Sequence, residues 1–458
     1  MIFVTHSPKE VSLEMKTHIL LSLVLFLMLV QGASIAHAGT PVFSQVSARG
    51  RVLPKMTTAP DGRIVLTFAE REGTKARYFV SVSDNKGITF STPKQVVLAE
   101  FGAAILQRQP YVVMDGRGVM HVLVEKMITG AGNALHHQSS TDLGETWSTP
   151  VRISAEPPAR PQDFASIAID KQNNLYVSFI SVLATMPDSY THIFLVRSTD
   201  GGLTWSKEER VDRFTLGGCC ECCNQNLTIA DNGDVVVAFR SNIANRRDVH
   251  IARSTDNGVT FSTPVLIQSE MWMIGGCPGT GPSIKCDSRG TLHITWRDAR
   301  NESSPGSCFY AALPSGSMNT PMNMLINSPI GTDGEYPIVA TSTSGDSVGI
   351  VWHGTDGVFF AQRSMLPSRT MLSSQDLQNP CVSVVWHGSG FLAIWQEHVS
   401  GANDIVSFRT DITSDVQADV ITREPCQYTQ FYDYLGRLVT SSVPHPYVFG
   451  VCTIAHKH

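Results

Sequence analysis

Short apolar runs recur along the chain, each preceded by a tight turn and ended by an aromatic or aliphatic residue. They cover residues 64–68, 120–124, 175–179, 235–239, 292–296, 348–352 and 391–395. Their last residues lie 56, 55, 60, 57, 56 and 43 positions apart. Such regular spacing is typical of a repeat architecture, in which each repeat is one supersecondary unit. No stretch after residue 38 has a convincing helical period, so an all-β fold is predicted.

The order of segments within one repeat is constant. In the fourth repeat an inner strand (227–229) is followed by a tight turn (231–234), a second strand and a variable loop. A third strand (249–253), a further turn and a fourth strand (265–267) complete it. Four short antiparallel strands joined by Gly, Asn and Asp turns are typical of a β-propeller blade. The seven runs therefore favour a propeller with seven blades.

The turn between the third and fourth strands carries a motif of its own. Full copies begin at Ser140, Ser198 and Ser254 and read Ser-Thr-Asp-x-Gly-x-Thr-Trp/Phe, and a variant beginning at Ser83 has Asn85 in place of the aspartate. The aspartate can accept backbone N–H bonds within its own turn, and the glycine supplies a left-handed conformation. These residues therefore indicate a stable hairpin and carry no predicted catalytic role.

This motif resembles the Asp-box, or BNR repeat, of sialidase-like β-propellers. Three full copies at spacings of 58 and 56 residues make the resemblance specific for that superfamily. It implies a propeller that covers most of the chain, with the six blades of typical sialidases as the alternative to seven. It does not by itself imply sialidase activity, because a fold does not fix the function of its site.

The resemblance implies a set of catalytic positions. In sialidases a tyrosine assisted by a glutamate is the nucleophile, an aspartate is the acid/base, and three arginines bind the substrate carboxylate. Tyr336 matches the nucleophile, Glu221 its partner, and Arg240 and Arg51 two of the arginines. The aspartate is absent from the loop after the first repeat's second strand, where Glu72 is the available acid, and the third arginine is absent near residues 304–308.

Two functions follow from this partial match. The first is a propeller that recognises a glycan or another small-molecule ligand at the mouth of its channel. The alternative is an exo-sialidase-type glycoside hydrolase with a tyrosine nucleophile. Whether the chain is an enzyme is left open by the missing aspartate and arginine.

Four of the ten cysteines, Cys219, Cys220, Cys222 and Cys223, occupy five positions around Glu221. Repeat alignment places them with Cys277 at the starts of neighbouring inner strands. In an exported protein disulfides are the first expectation. A soft-metal site for copper or zinc, which would make this a metal-binding propeller, is the second.

The ends of the chain are distinct from the propeller. Residues 1–38 have a charged start, an apolar run and an Ala-x-Ala site, which predict a secretory signal peptide that begins at Met1 or at Met15. The propeller is expected over 39–425. Residues 426–458 form a β tail, interpreted as closing strands or as a short C-terminal sorting domain, which it weakly resembles.

The charge and the leader together constrain the partners. The net charge of −5 gives no indication of a nucleic-acid partner. No segment after the leader is apolar for long enough to predict a transmembrane span. We therefore expect an extracytoplasmic monomer, in the periplasm, at the cell surface or secreted.

Overall fold

We describe the protein from a computed structural model. The described residues are 39–45, 47, 50–72, 75–96, 111–128, 132–154, 161–182, 191–214, 217–276, 278–299, 306–317, 319–327, 334–374, 381–399, 402–411, 428–432, 438–439 and 449–452. The signal peptide predicted over 1–38 therefore lies outside them. The described part contains strands, turns and one 3-10 turn (Arg363–Met365), but no α-helix. Nor does any helix in it have the length and apolar character needed to cross a membrane.

Seven antiparallel sheets form the blades of a propeller, which confirms the predicted class and blade number. The N-terminal strand is β1 (Thr40–Pro41). Blade 1 contains β2 (Arg51–Thr58), β3 (Ile64–Glu72), β4 (Lys75–Ser83) and β5 (Lys94–Gln95). Blade 2 contains β6 (Tyr111–Met114), β7 (Met120–Ile128), β8 (Gly132–Ser140) and β9 (Val151–Arg152). Blade 3 contains β10 (Asp163–Ile169), β11 (Leu175–Val182), β12 (Thr191–Ser198) and β13 (Glu209–Arg210).

The remaining blades follow the same order. Blade 4 contains β14 (Gly218–Cys219), β15 (Asn226–Ile229), β16 (Val235–Asn242), β17 (Val249–Ser254) and β18 (Val265–Leu266). Blade 5 contains β19 (Ser283–Cys286), β20 (Leu292–Asp298), β21 (Ser307–Leu313) and β22 (Met324–Leu325). Blade 6 contains β23 (Glu335–Thr341), β24 (Val348–Gly354), β25 (Gly357–Gln362) and β26 (Thr370–Ser373). Blade 7 contains β27 (Ser383–Trp386), β28 (Phe391–Val399) and β29 (Ala402–Arg409).

The ring is closed by the N-terminal strand. β1 pairs antiparallel with β29, with Thr40 opposite Ser407, and so provides the outer strand of blade 7. The tail strands β30 (Tyr428–Tyr432), β31 (Leu438–Val439) and β32 (Phe449–Cys452) form a three-stranded sheet of their own. In the described sheets the outer edge of β29 is therefore paired with β1, and the tail strands pair with one another.

The core lies between the blades. The residues that end the apolar runs, among them Phe239, Trp296, Trp352 and Trp395, are at most 2% exposed. One hydrophobic cluster joins Val236 and Ala238 of blade 4 to Trp296 of blade 5, and similar clusters join other neighbours. Burying a side chain of this size contributes roughly 1.5–3 kcal/mol, so most of the fold's stability comes from contacts between blades.

Polar side chains at one register position of the inner strands also join the blades. The Ser383 hydroxyl accepts a bond from the Met56 N–H (3.1 Å), and the Asn226 side-chain Oδ1 accepts one from the Ile284 N–H (3.0 Å). The Ser283 hydroxyl accepts from the Val339 N–H at 3.3 Å. Each bond satisfies a backbone donor of the adjacent blade that no strand pairing uses, and so fixes the height of one blade against the next.

The Asp-box turns have the predicted hydrogen bonds. In blade 2 the Asp142 carboxylate accepts from the Thr146 N–H (2.9 Å) and the Thr146 hydroxyl (2.5 Å), and Ser140 accepts from the Gly144 N–H (2.8 Å). The boxes of blades 3 and 4 repeat this geometry. Bonds to threonine lower the pKa of the box aspartates, Asp142, Asp200 and Asp256, to about 2. The motif is thus structural.

The box glycine also brings each turn against the preceding blade. Gly202 of blade 3 has φ +90°, and a Cβ added there would lie 2.1 Å from the His137 Cε1 of blade 2. A Cβ at Gly144 would lie 2.8 Å from Val80, and one at Gly258 would lie 2.8 Å from Leu195. The glycine is therefore required for conformation and for contact between blades.

We expect the three box aspartates to determine part of the acid sensitivity of the fold. Their folded pKa values lie below the unfolded value of about 3.9, so their contribution is present above about pH 4 and is lost as the pH falls towards 2. The triple variant D142N/D200N/D256N should melt a few degrees lower at neutral pH and should show a flatter decline in melting temperature on acidification. D356N, an exposed aspartate outside the boxes, is the control. An unchanged acid limb in the triple variant would contradict this assignment.

Gly202→Ala should destabilise the fold by roughly 2–4 kcal/mol, because it adds a clash with His137 to the cost of a left-handed alanine. Gly62 is a matched control, since its φ is +87° but an added Cβ would meet nothing within 4 Å. Gly62→Ala should therefore cost only about 1–2 kcal/mol. Chemical denaturation of the two variants measures the difference, and equal losses would argue against the contact between blades.

Candidate functional site

Near the start of four inner strands, a non-glycine residue at an equivalent position has a left-handed conformation. Leu53, Phe164, Tyr336 and Cys381 have φ values of 58°, 52°, 49° and 47°. In three of these blades the register shifts beside that residue, which marks a β-bulge. Bulges change the direction of side chains and are frequent at functional sites. The predicted nucleophile, Tyr336, therefore lies beside one of three bulges near the starts of the inner strands.

Blade 4 departs from this pattern because its inner strand is split. β14 pairs with the end of β16, the chain then turns through residues 220–225, and β15 resumes the strand. The Cys220 N–H donates to the Arg240 carbonyl at 2.8 Å, so the Glu221 turn and the end of β16 lie together, as the sequence predicted. The turn places Glu221 at the mouth with an exposed side chain.

The ion pair at this turn involves a residue that the sequence reasoning missed. Arg247 donates to both Glu221 carboxylate oxygens, at 2.8 and 3.4 Å, and Asn242 donates to one of them at 3.2 Å. Partial burial alone would raise the pKa of Glu221, but the Arg247 bonds outweigh it and the pKa is lowered. Glu221 is thus an ionised carboxylate whose principal partner is Arg247.

Arg240 is buried and directed into the protein. It is 1% exposed, and its guanidinium donates to the backbone carbonyls of Thr280 (3.2 Å), Arg247 (2.6 Å) and Arg297 (2.7 Å). It also lies 4.9 Å from the centre of the Trp272 ring. Two of its acceptors belong to blade 5, so Arg240 joins blades 4 and 5 beneath the surface.

The second charged pair at the mouth lies between blades 5 and 6. Arg297 approaches Glu335 at 3.5 Å, next to Tyr336. The Thr295 hydroxyl donates to the Pro337 carbonyl at 2.8 Å, which fixes the start of β23 against blade 5. Tyr336 therefore follows directly after a Glu–Arg pair.

Arg51 lies at a different seam, between blades 1 and 7. It donates to Asp404 at 3.0 Å and to the Gln45 carbonyl at 2.8 Å, and it stacks 4.3 Å from the centre of the Phe43 ring. Arg51 therefore contacts the closing blade and, at 3.9 Å, Glu70 of its own blade, whereas Glu221 and Arg240 lie at another seam. The alternative acid, Glu72, has a side chain outside the described residues.

Three of the clustered cysteines come close together. The sulfur atoms of Cys220, Cys222 and Cys223 all lie within 4.8 Å of one another, with 2.8 Å between the sulfurs of Cys220 and Cys223. Cys220 and Cys223 are free thiols, and the hydrogen bond between them lowers the pKa of Cys220 to about 7, whereas burial raises the pKa of Cys223. Cys219 is buried but is not one of the three, and Cys277 lies outside the described residues.

The family model of the BNR repeat-like domain matches residues 109–271 of this chain. The intramolecular trans-sialidase from Ruminococcus gnavus shares the fold with a TM-score of 0.51 at 13% identity, over 83% of this chain and 99% of that one. A protein of unknown function from Dyadobacter fermentans gives 0.49 at 14% identity, over 82% and 97%. A leech intramolecular trans-sialidase gives 0.49 at 13%, over 71% and 68%.

No curated protein gives a significant match. The solved structures are similar in fold at low identity, and the family match falls on the blades that carry the Asp-boxes. The chain is therefore a seven-bladed β-propeller with three complete Asp-boxes, and its residues 109–271 match the BNR repeat-like domain.

Proposed function

We propose that the channel mouth at blades 4 to 6 binds a glycan or another polar small molecule and does not hydrolyse it. The mouth cluster is defined here as Glu221, Arg247, Arg297, Glu335 and Tyr336. The observation that carries the proposal is the state of the two arginines expected to bind a substrate carboxylate. Arg240 donates its bonds to three backbone carbonyls, and Arg51 is neutralised by Asp404.

The chemistry of the mouth cluster suits hydroxyl groups better than a single anion. Arg247 is paired with Glu221 and Arg297 with Glu335, so the local charges cancel. Each pair offers acceptor oxygens beside donor nitrogens, and a sugar hydroxyl both donates and accepts. Tyr336 adds an aromatic face of the kind that small-molecule sites use together with a few polar groups.

The alternative is sialidase-type hydrolysis, with Tyr336 as nucleophile, Glu221 as its partner and Arg240 and Arg51 on the carboxylate. The Glu221–Arg247 pair weighs against it. A carboxylate that removes a proton from tyrosine works best with a raised pKa, whereas the pKa of Glu221 is lowered. The inward direction of Arg240 also removes the bidentate fork that a carboxylate requires.

Binding to an immobilised panel of neutral and sialylated glycans tests the proposal. Replacing one partner of each pair, as in E221Q and R297M, should weaken binding about tenfold, because each removes a charge-assisted contact. R289Q, which removes an exposed arginine paired with Asp346 at 3.0 Å, should bind like the wild type.

The hydrolytic alternative is tested in parallel with a fluorogenic sialoside between about pH 4 and 8, which spans the carboxylate and histidine titrations. We expect no release of the fluorophore. Turnover by the wild-type protein that Tyr336→Phe abolishes would overturn the proposal and establish the hydrolase.

We infer that the cysteine turn is held by disulfides and not by copper or zinc. The adjacent cysteines and the leader predicted over residues 1–38 support this inference, because neighbouring thiols of an exported protein are free to oxidise. Cys220 and Cys223 are free thiols whose sulfurs lie 2.8 Å apart, which is longer than the roughly 2.05 Å of a disulfide, but oxidation in an exported protein could join them after a small shift. The metal-binding function is therefore the second candidate.

Alkylation of the protein after denaturation without reduction, followed by mass spectrometry, should find no reactive thiol at Cys220, Cys222 or Cys223. Reduction should then lower the melting temperature, because the turn loses its cross-links. Metal analysis of protein purified without chelators tests the alternative, a bound copper or zinc ion. One equivalent of copper or zinc, lost together with the cluster in C220S/C223S, would contradict the disulfide inference and support the metal site.

We also propose an extracytoplasmic location and a monomeric state. The leader predicted over residues 1–38 and the cysteine content support the location. The nearly balanced charge supports a small neutral ligand over a nucleic acid. Size-exclusion chromatography with light scattering measures the oligomeric state.

A further inference from the structure

A cavity of about 220 Å³ lies between the outer strand of blade 2 and the Asp-box turn of blade 3. Blade 2 contributes residues 151–154 to its lining and blade 3 contributes residues 203–208. β12 starts at the mouth, opposite the end of β11, and the box follows its other end. No residue of the mouth cluster lines this cavity, which we call the outer cavity.

Trp205, the aromatic residue of the box, lines the outer cavity and is only half-buried. Its ring packs edge-on against His137 of blade 2, with 5.6 Å between the ring centres, and its indole N–H donates to the Gly202 carbonyl at 3.2 Å. Leu203, which also lines the cavity, is 71% exposed. The outer cavity therefore has an aromatic wall held in one orientation, against which the ring of a ligand can stack.

Arg152 of β9 is the lining residue that most suits a charged ligand. Its Nε atom is enclosed by protein and forms no hydrogen bond, and in the described part of the chain its guanidinium forms no ion pair. Enclosed N–H groups are nearly always bonded, and leaving one without an acceptor is costly. An acceptor supplied by a ligand would remove that cost.

The other charged groups of the lining leave an excess of positive charge. The Glu208 carboxylate accepts a bond from the Ser154 hydroxyl. Lys207 is exposed and, within the residues that the structure describes, its side chain has no ion pair. Arg152 and Lys207 against Glu208 give one net positive charge. One anionic group on a ligand would balance it.

The neighbouring seams lack this combination of an arginine and an open tryptophan. The strand position equivalent to Arg152 in blades 1, 3 and 4 holds Gln95, Arg210 and Leu266. Arg210 lies 3.4 Å from Asp212, and at the seam of blades 3 and 4 the box aromatic, Phe261, is buried. The propeller fold does not by itself require the groups that line the outer cavity.

We propose that the outer cavity binds a small carboxylate that carries one six-membered ring, with the ring against Trp205 and the carboxylate on Arg152. Arginine binds a carboxylate through two parallel bonds, which fixes its orientation. Sites for drug-sized ligands span roughly 300–1,000 Å³, so a cavity of about 220 Å³ suits a single ring. This site does not depend on what the mouth binds.

Titration of the purified protein with benzoate and with glucuronate, followed by saturation-transfer NMR of the ligand, tests the site. Both probes are ionised carboxylates at about pH 7, and they differ in carrying an aromatic ring or a sugar ring. Wild-type protein should bind at least one of them saturably. A Kd on the order of 1 mM is expected, because so small a ligand makes few contacts.

R152M should weaken binding at least about tenfold, because it removes the charge-assisted bonds to the carboxylate. K207E reverses the net charge of the lining and should weaken binding about fivefold. W205F, which gives blade 3 the aromatic residue of the blade 4 box, should weaken it about threefold through its smaller ring. R210M removes the arginine at the equivalent position of blade 3 and should bind like the wild type.

The proposal would be overturned by the absence of saturable binding of both probes to the wild-type protein, or by equal binding to the wild type, R152M and K207E. A loss in R210M as large as that in R152M would also overturn it, since it would indicate a general effect of charge. If R152M fails to fold, K207E decides the question, because Lys207 is exposed. E221Q should still bind the probes and K207E should still bind the glycan panel, which separates this result from that for the mouth.

Discussion

Both faces of every blade are apolar, and each face can be buried only against a neighbouring blade. The cluster that joins Val236 of blade 4 to Trp296 of blade 5 illustrates this dependence. Because blade 7 has only three strands from its own repeat, its outer edge must be completed from the start of the chain, and β1 does so by pairing with β29. Closure of the ring is therefore the condition under which every other contact forms, and it makes the stability of each blade depend on all seven.

The same dependence explains why the mouth differs from the sialidase pattern. Arg240 ends the second strand of blade 4, where the resemblance expects a carboxylate-binding residue, but Thr280 and Arg297 of blade 5 accept its bonds. Arg51 is likewise held by Asp404 across the closing seam. Residues in positions that could bind a ligand instead join adjacent blades. The groups to which we assign ligand binding are the paired charges Glu221–Arg247 and Arg297–Glu335, whose balanced charge suits a polar ligand better than an acid.

The fold was predictable because its signals are local. An Asp-box such as the one at Ser140 makes all its bonds within seven residues, and each hairpin follows its own turn. The site was predictable only in part. The hairpin register places Glu221 and Arg240 at one end of a blade. It does not predict that Arg247, in the loop after Arg240, donates to the Glu221 carboxylate.

Local turns also account for the freedom of the blades to diverge at the mouth. Blades 5 to 7 lack the Asp-box, yet Asp287 of blade 5 accepts N–H bonds from Arg289 (2.9 Å) and Thr291 (2.8 Å) in its inner hairpin. Gly345 of blade 6 packs on that aspartate, since a Cβ there would lie 1.9 Å from its carboxylate. A glycine against the preceding blade thus recurs without the motif. The turns away from the mouth hold the blades in register. The starts of the inner strands can therefore be bulged, split or rich in cysteines while the ring stays closed. Blade 4 departs most from the regular pattern, because its inner strand is both split and rich in cysteines.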